Sequence, residues 1–167
     1  GIECLKLLRG MFALAIWDEQ CQRLFLARDR VGKKPLNYAV TKSGLAFCSE
    51  LHPLSRHPGV DNGMDLEALE LYLQCRFIPA PWTIYRGIRK LPPAHYAVYD
   101  RSGLNIEKYW EVDYRDKIQI SGADALDALE EKLTEAVRLR MIADVPLGAL
   151  LSGGVDSSLV VALMAKL

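Results

Sequence analysis

The chain has 167 residues, half of them hydrophobic, and its 21 basic and 21 acidic side chains cancel. That balance suits a soluble globular protein. It excludes a basic surface built for a nucleic-acid backbone and an acidic solvating arm, and no run approaches the ~20 apolar residues of a membrane span. Cys4, Cys21, Cys48 and Cys75 lie far apart without a CxxC pair, and His52, His57 and His95 add no zinc-site spacing. Four free thiols fit a reducing compartment. With no basic-then-apolar leader at the N-terminus, the cytoplasm is the expected location.

The chain opens at Gly1 directly into a helix-like stretch, Ile2 to Leu8, and closes in an apolar helical run, Val160 to Leu167. Both ends read as cuts through structure, so a fragment is expected. Met11 to Trp17 is apolar on both alternating faces, the pattern of a strand covered from two sides. Arg23 to Arg28 repeats the signal after the polar turn Asp18-Glu19-Gln20, which makes a hairpin. Leu36 to Val40 and Leu45 to Cys48 form a second hairpin around Lys42-Ser43-Gly44. Four antiparallel strands within fifty residues are expected to share one sheet. Between the hairpins, Arg28, Asp29, Arg30, Lys33 and Lys34 predict a salt-bridged loop that fixes the crossing.

After Ser49 the period lengthens. Asp65 stands where an N-cap belongs, and Leu66, Leu69 and Leu73 fall on one helical face. Pro79 and Pro81 stop that helix, because each removes a donor and restricts its predecessor. Tyr96 to Tyr99 is extended, Arg101-Ser102-Gly103 turns, and Ile106 to Trp110 is extended again. Trp82, Tyr85 and Tyr96 read as packing residues, and His95 as structural. The polar stretch from Asp113 to Gly122 marks a boundary, giving one domain over 1–114 and another over 115–167. Ser121 and Asp124 resemble a capping box. The helix behind them carries Leu126, Leu129, Leu133 and Val137 on one face and Asp127, Glu130, Glu131 and Arg138 on the other. A strand is expected over Leu147 to Leu151.

Chemistry concentrates between that strand and the last helix, in Ser152-Gly153-Gly154-Val155-Asp156-Ser157-Ser158. Strand, glycine-rich turn, helix places backbone N–H groups and a helix N-terminus, worth about +0.5 charge, around an anion. Gly153 and Gly154 allow close approach of phosphate oxygens, and Ser152, Ser157 and Ser158 offer hydroxyl donors. A carboxylate beside a phosphate cradle repels the ligand unless a cation lies between them, so Asp156 implies Mg²⁺. There is no Gly-Lys-Ser/Thr, hence no Walker-type loop.

The string resembles the pyrophosphate-binding loop (PP-loop) of the N-type ATP pyrophosphatases, enzymes that adenylate an oxygen and release pyrophosphate. The resemblance implies that Ser152, Gly153, Gly154, Asp156, Ser157 and Ser158 hold pyrophosphate, that Asp156 is the metal ligand, and that the backbone at Leu150 and Leu151 lies beside adenine. Upstream, Gly10 to Asp18, Leu26 to Leu36 and Phe47 to Glu50 resemble the second half of a class II glutamine amidotransferase domain, with Lys34 where many such domains have arginine. Ile78 to His95 and Tyr109-Trp110 resemble the joining stretch of the glutamine-hydrolysing asparagine synthetase family, and Arg138 to Gly148 runs into the loop as that family does.

That family implies an α+β fold, a partial Ntn-type αββα sandwich with antiparallel sheets, followed by the start of an α/β PP-loop domain. It implies glutamine hydrolysis, adenylation of aspartate with ATP and Mg²⁺, and amidation by channelled ammonia, an effective-concentration gain. The partners are the small molecules glutamine, aspartate and ATP, with neither nucleic acid nor membrane, and a homodimer is the candidate assembly. The family's nucleophile is an N-terminal cysteine with a free α-amine. Cys4 lies within an amphipathic stretch with its amine in a peptide bond, so no catalytic residue is expected here and the fragment alone should complete neither half-reaction. The rival expectations are an amidotransferase acting on another carboxylate, a nucleotide-binding module that has lost catalysis, and an RNA-thiolating enzyme. The last predicts a basic surface that the composition lacks.

Overall fold

The computed structural model describes residues 1–167, which form two compact units, Gly1–Asp113 and Tyr114–Leu167.

In the first unit, β1 (Ala13–Asp18) and β2 (Arg23–Arg28) form the first hairpin, with Ala15 opposite Leu26. The Asp18 carboxylate closes its turn by accepting the Cys21 amide at 3.0 Å. The second hairpin is β3 (Asn37–Thr41) with β4 (Gly44–Cys48). The two hairpins do not share a sheet, contrary to the expectation from their closeness in sequence. The free edge of β2 is taken by β6 (His95–Asp100), which pairs in turn with β7 (Gly103–Lys108), giving the order β1-β2-β6-β7. Strand β3 lies between β4 and the two-residue β5 (Arg89–Lys90) in a separate sheet.

The reason lies in strands that are apolar on both faces. In β2, Leu24 and Leu26 point one way, and Phe25 and Ala27 point the other, as the two-residue period requires. Leu26 and Ala97 of the first sheet meet Tyr38 of the second, together with Leu36 just before β3 and Leu91, in a core between the sheets. The outer face of the first sheet packs Ala27 and Tyr96 against Leu5 of α1 (Cys4–Leu7). The outer face of the second packs Ala39 against Leu54 of α2 (Leu51–Ser55) and Ile88. Helix, sheet, sheet and helix follow one another through the unit. A single four-stranded sheet would have left one set of alternating residues in water.

Asp65 caps α3 (Leu66–Cys75) by accepting the Ala68 amide at 3.2 Å. Ala68 is the buried residue of that helix, while Leu66 and Leu73 remain exposed. Of the predicted packing aromatics, Tyr96 is buried, Tyr85 packs against the Ile88 cluster and Trp82 is half-buried. His95 Nδ1 lies 2.7 Å from the Pro93 carbonyl, a local structural bond.

The second unit is a pair of helices. Ser121 caps α4 (Gly122–Arg138), accepting the Asp124 amide at 3.1 Å while its hydroxyl donates to the Asp124 carboxylate at 2.7 Å. Helix α5 (Val155–Lys166) is tied to α4 by a 2.8 Å ion pair between Lys166 and Glu130. Val137 and Leu163 are buried, whereas Leu126 and Leu129 of the predicted apolar stripe are exposed. Residues 147–151 form no strand, which corrects the expectation for this segment. A parallel strand exists only through a ladder with neighbours, and these residues have no strand to pair with in their unit. No helix is long and apolar enough to cross a membrane.

Candidate functional site

The loop between residue 151 and α5 is shaped by its glycines. Gly153 sits at φ +82°, a left-handed conformation that other residues adopt only with strain. It turns the chain so that Gly154, in extended conformation at φ −80° and ψ 160°, becomes the N-cap of α5. Glycine offers no side-chain acceptor, and no side chain caps this end. The first amides of a helix have no acceptor within it, so here they face outward beside the positive end of the macrodipole. Asp156 lies in the first turn of the same helix.

The three hydroxyls are arranged differently from the simple donor role expected of them. Ser157 donates to the Gly154 carbonyl at 3.0 Å and Ser158 to the same oxygen at 2.8 Å. Ser152 and Ser157 lie 2.9 Å apart. Since the Ser157 proton is already committed to Gly154, Ser152 is the donor of that pair. The loop is thus drawn together by its own serines, and a hydroxyl that engages a phosphate must first leave the carbonyl it holds. Leu150 is 96 % exposed and Leu151 62 % exposed, so the segment expected beside adenine is open to solvent.

The donor set decides which metal suits the loop. No cluster of three or more His, Cys, Asp or Glu side chains is present, which is the wrong set for a zinc or calcium cage. Magnesium bound with nucleotide needs one or two carboxylates, with phosphates and water completing the shell. Asp156 meets that requirement, so the loop fits Mg²⁺ carried in with a polyphosphate.

The charged segment between the hairpins is a structural brace, as expected, but salt bridges do not build it. The buried Asp29 carboxylate accepts the amides of Val31 at 3.2 Å, Lys33 at 3.0 Å and Lys34 at 2.9 Å. Arg28 donates to three carbonyls, those of Lys34 at 2.8 Å, Leu91 at 2.7 Å and Gly32 at 2.7 Å. Burial pushes the Asp29 carboxyl up, but the amides of Lys34, Lys33 and Val31 outweigh it and leave its pKa below the usual carboxylate range. Cys4 is half-buried against the Leu5 cluster, a packing position. Sequence reasoning missed the bond from the Tyr109 hydroxyl to the Arg28 carbonyl at 2.9 Å, which joins residues 81 apart. No spacing rule announces such a contact.

Comparison with known proteins assigns both parts. The glutamine amidotransferase domain family matches residues 1–110, and the asparagine synthase family matches residues 128–167. Glutamine-hydrolyzing asparagine synthetase 3 of Bacillus subtilis is 36 % identical over 164 residues, covering 98 % of this chain and 26 % of that protein. Glutamine-hydrolyzing asparagine synthetase 1 of the same organism is 31 % identical over 160 residues, covering 95 % and 25 %. Amidase chry2 of Gibberella zeae is 33 % identical over 176 residues, covering 100 % and 25 %. The chain spans about a quarter of the length of these relatives.

Proposed function

The chain belongs to the glutamine amidotransferase domain family, and from that premise we propose that the intact protein is a glutamine-dependent asparagine synthetase. It hydrolyses glutamine in an Ntn-type αββα domain that includes residues 1–114. It uses ATP in an α/β PP-loop domain that begins near residue 115, adenylating aspartate and amidating it with the released ammonia. The products are asparagine, glutamate, AMP and pyrophosphate. The observation that carries this reading is the uncapped N-terminus of α5 behind the Gly153–Gly154 turn, with Asp156 in its first turn, on a chain that also matches the glutamine amidotransferase domain.

The roles derive from the chemistry of the loop. The amides at the start of α5 bind the departing phosphates, and the Gly153 turn keeps side chains out of their way. Ser152, Ser157 and Ser158 exchange their internal bonds for phosphate oxygens. Asp156 would hold Mg²⁺, which would supply charge neutralisation on the phosphates when bound. The main chain at Leu150 and Leu151 takes adenine. A carboxylate is a poor electrophile, and AMP is a far better leaving group than oxide, which is why ATP is consumed at all. Ammonia delivered from a neighbouring site arrives unprotonated and at high effective concentration.

Incubation of the intact protein with glutamine, ATP, Mg²⁺ and aspartate tests this. Asparagine, AMP and pyrophosphate in equal amounts are expected, and protein that forms glutamate but neither AMP nor asparagine overturns aspartate as the acceptor. A second reading, the same machinery acting on another carboxylate, is favoured by the match to a fungal protein named an amidase rather than a synthetase. Screening other carboxylates for AMP release separates the two.

A further inference from the structure

We draw no further inference here: the strongest candidate, the apolar surface patch that Leu66 and Leu73 expose along α3, carries nothing because nothing in the structure shows what covers it.

Discussion

Arg28 and Asp29 are sequence neighbours of opposite charge that brace one loop in complementary ways, Arg28 on its carbonyls and Asp29 on its amides. Lys34 receives both, its carbonyl accepting from Arg28 and its amide donating to Asp29. The loop carries the chain from β2 in one sheet to β3 in the other. Without Arg28 and Asp29 its carbonyls and amides would depend on water for partners.

Asp29→Asn tests that brace. The variant keeps the shape but replaces a charged acceptor of three amides, and charge-assisted hydrogen bonds are worth about 1.5–3 kcal/mol. A loss of that size in the stability of the first unit toward denaturant is expected. The pH dependence has a defined sign. The folded pKa lies below the unfolded one, so the contribution is complete above the ordinary aspartate value of about 3.9 and is lost as pH falls through the folded value. Melting curves from about pH 5 down to pH 2 should fall more steeply for wild type than for Asp29→Asn. Parallel curves would contradict this account of the loop.

Gly87→Ala probes close packing between loops. A Cβ at Gly87 would stand 2.7 Å from both the amide nitrogen and the carbonyl oxygen of Asp61, atoms that cannot rotate away. The Gly87 amide also donates to that carbonyl at 2.8 Å. Overpacking of this kind costs about 1–3 kcal/mol. Gly148→Ala, where a Cβ meets nothing within 4 Å, is the matched control and should melt with wild type.

Gly153→Ala separates the loop's shape from its chemistry. The left-handed conformation at φ +82° costs an alanine about 1–2 kcal/mol, so nucleotide affinity in the intact protein should fall about five- to thirty-fold. Far-ultraviolet circular dichroism should stay unchanged, because Gly153 lies outside α5. Unaltered affinity would mean that the turn is not part of the site.

Features set by local chemistry were readable in the sequence. The caps at Asp65 and Ser121 need only a side-chain oxygen and an amide three residues away, and both hairpins need only a turn between apolar runs. The assignment of hairpins to sheets was not readable, because β2 takes β6 as its neighbour across about seventy residues of chain. Closeness in sequence pointed to the wrong partner. The strand expected at 147–151 failed for a related reason, since an apolar run offers a surface and says nothing about whether a ladder is present. In the loop, residue types were legible but proton directions were not. Ser157 and Ser158 both turn to the Gly154 carbonyl, which no residue spacing announces.

Amide hydrogen exchange over residues 152–158 of the intact protein, with and without Mg²⁺-ATP, bears most directly on the phosphate-gripping loop. Slowed exchange at the first amides of α5 is predicted on nucleotide addition, and weaker slowing in Asp156→Asn. Nucleotide binding registered by calorimetry with no change in exchange across these residues would place the phosphates elsewhere and contradict the account.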